Sequence, residues 1–152
     1  MSADNAEGRC LCNSITFRYE GTPNWIVHCH CESCRRATSS PMTTWISVPR
    51  SALSFTKGAP RYFSSSHGVR RGFCENCGSP LTYESERVPD EVHLCAASLT
   101  DPSTVSPSRH AFVAEQLPWL EVFDDLPRYA ATSLGQVSPV GVGPLAKERA
   151  AR

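Results

Sequence analysis

Short runs of alternating apolar and polar residues dominate this chain, and they predict strands rather than helices. In residues 13–20, Ile15, Phe17 and Tyr19 alternate with polar neighbours, which is the period-two signature of a strand with one buried face. Gly21, Thr22 and Pro23 turn the chain, and Trp25, Ile26 and Val27 form a short apolar run beyond them. Residues 42–48 are rich in Thr, Trp, Ile and Val and read as another strand, closed by Pro49 and Arg50. Leu53 to Phe55 and Arg61 to Phe63 follow at hairpin spacing around a turn at residues 57–60, and no long amphipathic helix fits this part of the chain. Further strands are expected at residues 81–84 and 91–97. In the second of these, Val92, Leu94 and Ala96 share one face while His93 and Cys95 share the other. Residues 110–114 and 119–123 are the last apolar segments.

These short runs, together with twelve prolines, predict a mainly β, antiparallel domain. At 152 residues the chain has room for one such domain with a real core. We place it at residues 8–129, between a polar, flexible N-terminus (1–7) and a tail (130–152) where Gly, Pro, Ser, Ala and charges replace apolar residues. Trp25, Trp45 and Trp119 are expected in the core.

Charge narrows the partners. Fifteen basic residues balance fifteen acidic ones, so no overall field draws the protein to nucleic acid or to an anionic membrane. The first nine residues contain acids and no apolar run, and nowhere do about eighteen apolar residues follow one another. A soluble, cytoplasmic protein is expected.

The eight cysteines change the picture most. In a reducing compartment they point to metal or catalysis rather than to disulfides, and Cys-x-Cys and Cys-x-x-Cys neighbours suit one ion better than long-range bridges. Cys10, Cys12, Cys74 and Cys77 supply one complete tetrahedral shell for zinc, which would tie an early strand to a turn far along the chain. The stretch from His28 to Cys34 holds the other close-set group, Cys29, Cys31 and Cys34. Three thiolates leave a position for water or substrate, so these three are expected to be both ligands of a second zinc and the catalytic residues. Zinc stabilises thiolate over thiol, so an incoming substrate thiol would become a nucleophile there.

The neighbouring residues have two readings each. Cys95 is either a fourth ligand or a small core residue. His28 and His30 are either ligands or, because alternation points them away from Cys29, hydrogen-bonding and packing residues behind the ligands. Arg35 and Arg36 could grip a substrate carboxylate or phosphate, or simply be solvated. His67, His93 and His110 have no partner that sequence can name.

Three motifs, Gly8-Arg9-Cys10-Leu11-Cys12, residues 29–37 (Cys-His-Cys-Glu-Ser-Cys-Arg-Arg-Ala) and residues 73–81 (Phe-Cys-Glu-Asn-Cys-Gly-Ser-Pro-Leu), resemble the glutathione-dependent formaldehyde-activating enzymes, also called the centromere-protein-V-like family. The resemblance covers about residues 8–129 and implies the Mss4-like β fold. It implies two zinc ions per chain, the first structural on Cys10, Cys12, Cys74 and Cys77. The second, on Cys29, Cys31 and Cys34, would receive a glutathione-like thiol before it adds to formaldehyde, an activity classed as carbon–sulfur lyase. Small-molecule thiol and aldehyde partners follow. Asn13 stands where the family often has glycine, and asparagine also tolerates a left-handed backbone. The alternatives are a non-catalytic, zinc-stabilised interaction module and a methionine sulfoxide reductase with Cys95 as nucleophile.

Overall fold

A computed structural model describes residues 4–143. The alternating run around Phe17 forms β2 (Thr16–Glu20), which pairs antiparallel with β1 (Asn5–Arg9) and with β5 (Leu53–Lys57) in a three-stranded sheet. The larger sheet runs in the order β12 (Gly141–Val142), β11 (Pro127–Arg128), β10 (His110–Ala111), β3 (Trp25–Cys29), β4 (Thr43–Pro49), β9 (Glu91–Cys95), β8 (Pro80–Ser85), β7 (Val69–Phe73), β6 (Arg61–Ser66). Its pairs are antiparallel except those of β10, which lies parallel to both β3 and β11. The mainly β expectation holds.

One helix interrupts this pattern. α1 (Glu32–Thr38) occupies the stretch expected as a loop, with the Cys31 thiol as its N-cap, accepting from the Cys34 N–H at 3.3 Å. Ser39 ends it in the left-handed region at φ 51°. The helix buries only Cys34, so it leaves no periodic apolar signal in the sequence.

Two apolar clusters pack on opposite faces of the large sheet, because successive side chains of a strand point to opposite sides. Ile46, Val48, Val92 and Leu94 face the small sheet and meet Phe17 and Tyr19 in the main core. Trp45 and Cys95, from the alternate positions of β4 and β9, join Cys29 and Cys34 on the other face, with Trp25, Tyr83 and Phe112 against them. β4 and β9 are thus buried on both sides. Trp119, expected in the core, is 68% exposed.

The chain ends differ from their expectation. Asn5, Ala6 and Glu7 belong to β1, with Ala6 buried. Residues 130–143 run back to the sheet, where Gly141 and Val142 pair with Arg128 and Pro127. The buried Arg128 guanidinium donates to the carbonyls of Val122 and Gly143 and to the Asp124 carboxylate, and so fastens this return. Residues 1–3 and 144–152 of the two expected flexible ends lie outside the described residues.

Candidate metal centres and the cavity between strands and helix

The fold brings the first four thiols together from two turns. Cys10 and Cys12 follow β1, and Asn13 takes φ 61° to turn the chain towards β2. Cys74 and Cys77 lie between β7 and β8, where Gly78 adopts φ 77°, a conformation that a Cβ would strain, and its N–H closes the turn onto Cys74 O. All four Sγ atoms lie within 4.8 Å of one another. Cys10 and Cys12 are 3.6 Å apart and Cys12 and Cys74 3.8 Å. A tetrahedral zinc with bonds of about 2.3 Å places its sulfurs about 3.8 Å apart, so these residues fit the ion. The eight cysteines are free thiols.

The surroundings of Cys12 and Cys77 favour thiolate. Asn76 Nδ2 donates to Cys12 Sγ at 3.2 Å, and Ser14 Oγ is 3.1 Å from it. The Ser14 hydroxyl, ahead of Asn76, draws the Cys12 thiol down to about 5. Ser79 draws Cys77 down to about 7. The Ile15 N–H donates to Cys10 Sγ at 3.3 Å.

The second cluster is built locally. β3 delivers Cys29, the chain turns through His30, Cys31 caps α1, and Cys34 returns on the first turn of the helix. These three Sγ atoms also lie within 4.8 Å of one another, with Cys29 and Cys34 buried and Cys31 half-buried. They hydrogen-bond among themselves. Cys29, then Cys31, stabilises the Cys34 thiolate and pulls Cys34 down to about 2, with Trp45 and Arg71 adding to the effect. The bonds to Cys31 and Cys34, with burial, push Cys29 the opposite way. Trp45 Nε1 donates to Cys34 Sγ at 3.3 Å, and the Arg71 guanidinium nitrogens are 4.0 Å from it. Three thiolates need a dication to be stable together, and this donor set suits zinc.

A cavity of about 930 Å³ opens beside this cluster. Strand register makes its floor. Trp25, Ser47, His93, Tyr83, Arg71 and Phe63 stand opposite one another across β3, β4, β9, β8, β7 and β6, and opposed residues share a face. The Trp25 and His93 rings meet edge to face at 4.5 Å, His93 stacks on Tyr83 at 5.3 Å, and Arg71 lies over Tyr83 at 4.9 Å. Val27, Trp45 and Cys95 form the next row. Phe112 closes one wall from a left-handed backbone at φ 59°.

The residues with two readings now have places. Cys95 is buried in the same apolar cluster but lies outside the three-thiol group, and burial pushes its thiol up to about 12. Arg35 turns away to donate to the carbonyls of His30 and Glu115. Arg36 reaches the cavity rim and pairs with Glu32 at 2.7 Å. His28 bonds Thr44 Oγ1 through Nδ1 at 2.7 Å. His30 Nε2 is 2.8 Å from His110 Nδ1, and His110 Nε2 is 2.8 Å from Asp124.

This histidine chain escaped sequence reasoning, because its members are some eighty residues apart along the chain. Asp124, held by Arg128, can only accept, so the hydrogen sits on His110 Nε2. His110 Nδ1 then accepts from His30 Nε2–H. Burial, then His110, draws His30 down to about 4, which fits the neutral ring that this chain requires. His28, His110 and Asp124 also bring ligand atoms within 4.8 Å, but the Arg128 guanidinium on Asp124 already supplies the positive charge that an ion would bring. We read the group as the support behind the Cys29–Cys31 turn.

Comparison with known proteins agrees with this layout. The chain is 35% identical over 77 residues to an uncharacterized lyase of Schizosaccharomyces pombe, an overlap that spans 51% of this chain and 56% of that protein. It therefore spans little more than half of that relative's length. A crystal structure of a Rhodobacter sphaeroides protein superposes with a TM-score of 0.54 at 20% identity, covering 66% of this chain and 91% of that one, a likeness of fold. The family model described as glutathione-dependent formaldehyde-activating enzyme matches residues 5–115, which hold both cysteine clusters and the strands that carry them. With most of the folded chain inside that match, this protein belongs to the glutathione-dependent formaldehyde-activating enzyme family.

Proposed function

We propose that this protein is a zinc-dependent carbon–sulfur lyase that binds a thiol at Cys29, Cys31 and Cys34 and adds it to, or releases it from, an aldehyde such as formaldehyde. The observation that carries this reading is the inequality of the two clusters: four thiols close one site, while three line a cavity at the other. A zinc ion held by Cys29, Cys31 and Cys34 would keep an incoming thiol ionised at neutral pH.

The remaining steps belong to the chain. Trp45 and Arg71 hold negative charge at Cys34, so the sulfurs stay electron-rich without repelling a further anion as strongly as they otherwise would. The ring floor keeps bulk water from one side of the thiol and leaves the cavity mouth for the carbonyl. As the sulfur–carbon bond forms, the carbonyl π pair moves to oxygen, which takes up one proton in place of the one that the thiol gave up. The reverse reaction breaks the same bond and returns thiol and aldehyde.

Metal analysis tests the reading. Wild-type protein is expected to carry two zinc ions, and Cys31→Ser one, with the fold intact by circular dichroism and turnover of thiol and aldehyde lost. Retention of both metals in Cys31→Ser, or a wild-type protein that turns over no thiol with any aldehyde, would count for the interaction-module alternative.

A further inference from the structure

We infer that the three-cysteine site prefers a thiol with a flat, apolar, aromatic-type body to a charged peptide thiol. The inference rests on the proposed thiol chemistry and narrows its substrate. The cavity of about 930 Å³ is far larger than formaldehyde needs, so it has room for the body of the thiol. The surface offered to that body is a sheet of rings. Trp25, Trp45, Tyr83, Phe63 and Phe112 border the cavity, and the contacts among Trp25, His93, Tyr83 and Trp45 make a continuous aromatic floor at 4.5 to 6.0 Å centroid spacing. His93 and Arg71 cover the two faces of Tyr83, so an incoming ring meets this floor chiefly at ring edges, and such edge contacts add to its area burial.

The charges point the same way. A glutathione-like peptide brings two carboxylates and one ammonium, and recognition would use guanidinium groups free to fork onto carboxylate. The arginines around this cavity already have partners, Arg36 at its exposed rim and Arg71 inside it. Arg71 lies over Tyr83, donates to Ser65 Oγ at 3.3 Å and faces Cys34 Sγ at 4.0 Å, where it offsets the thiolates. Arg36 is paired with Glu32, and Arg35 donates to backbone carbonyls. Glu115 adds a carboxylate to the lining.

Phe112 supplies an independent sign. A bulky residue at φ 59° is disfavoured, and this one is held there by bonds from its own N–H to Ala131 O and from the Val113 N–H to Tyr129 O. Strain of this kind clusters at binding sites, and here it keeps a phenyl ring against the cysteine cluster.

The test uses full-length protein with cobalt in place of zinc, in which a thiolate that joins the three-cysteine site alters the sulfur-to-metal absorption. Phenylmethanethiol, glutathione and the small neutral 2-mercaptoethanol are titrated separately. Phenylmethanethiol should bind at least about tenfold more tightly than either of the others, the scale expected for burying one ring. Phe63→Ala, on an exposed edge strand where folding is not at risk, should weaken phenylmethanethiol about threefold and leave 2-mercaptoethanol unchanged. Phe112→Gly, which suits the left-handed backbone, should weaken it further. Glutathione binding as tightly as phenylmethanethiol, or 2-mercaptoethanol matching it, overturns the preference and leaves the thiol chemistry standing. If no thiol alters the spectrum, the thiol reading fails and the preference falls with it.

Discussion

The two cysteine clusters use the same donor atoms but are delivered by the chain in opposite ways. Cys10, Cys12, Cys74 and Cys77 come from two turns separated by sixty-two residues from Cys12 to Cys74, and the cluster lies where the core meets the surface, with Cys10 and Cys74 buried and Leu11 80% exposed beside them. Cys29, Cys31 and Cys34 come from one strand end and one helical turn, and they line a cavity with an aromatic floor. Ligands drawn from distant segments make an ion part of the fold, because binding closes a loop that the free chain would resist. Ligands drawn from one segment close almost no loop, so the fold can stand without that ion. On the proposed function, the contrast separates a staple from a reaction centre.

The contrast breaks most visibly at the staple. Cys74→Ser should remove a binding free energy on the order of 10 kcal/mol and with it the cooperative thermal transition, read by circular dichroism. A variant that melts like the wild type would mean that the first cluster does not hold the two sheets together. A middle-sized effect sharpens the other side. Arg71→Met should leave the melting transition nearly unchanged but raise the pH at which the metal-free second cluster alkylates, because the guanidinium no longer favours the Cys34 thiolate. Iodoacetamide labelling of Cys34 against pH, followed by mass spectrometry, reads the shift, and an unchanged profile would remove Arg71 from the site's electrostatics.

The smallest effect concerns β8, which leaves the four-cysteine cluster and runs along the floor of the cavity beside the other. Glu84 is buried and bonds both Arg70 and Arg50 at 2.8 Å. Burial works against its charge, yet the Arg70 and Arg50 bonds win and hold its carboxyl below the ordinary value of 4.5. A depressed folded pKa contributes stability that is present above the unfolded value and is lost as pH falls through the folded one. Glu84→Gln should therefore cost ~1–2 kcal/mol at pH 7, discounted for the half-exposed arginines, and the gap should close as the pH falls below 4.5. Equal destabilisation at pH 7 and at pH 3, by denaturant titration, would argue against the ion pair.

Much of the architecture was legible in the sequence because it rests on local alternation. Phe17 and Tyr19, Trp25 to Val27 and residues 43–48 announced their strands, and Asn13 and Gly78 announced the backbone turns that present the first thiols. What escaped depends on register or on long-range pairing. No spacing reveals that Arg71 and Tyr83 fall opposite His93 and Trp25, since a slip of one residue would turn each of them to the other face. α1 was missed because its stability comes from the Cys31 cap and one buried cysteine rather than from an apolar stripe. Residues 130–143 look tail-like in composition, and long-range partners, the buried Arg128 and the backbone bonds of Phe112, Ala114 and β11, draw them onto the sheet.

The parallel pairing of β10 with β3 has a consequence for synthesis. Residues 10–77 carry all four sulfurs of the surface clip, so it can shut while the carboxy-terminal part of the chain is still being translated. The neighbouring bowl has all its sulfurs sooner, yet the rings that brace it arrive last: His110 sets against His28 and bonds His30, and Asp124 then orients His110. The growing polypeptide can thus be pinned first, while the second cluster gains its histidine brace only once residues 110–124 have been made.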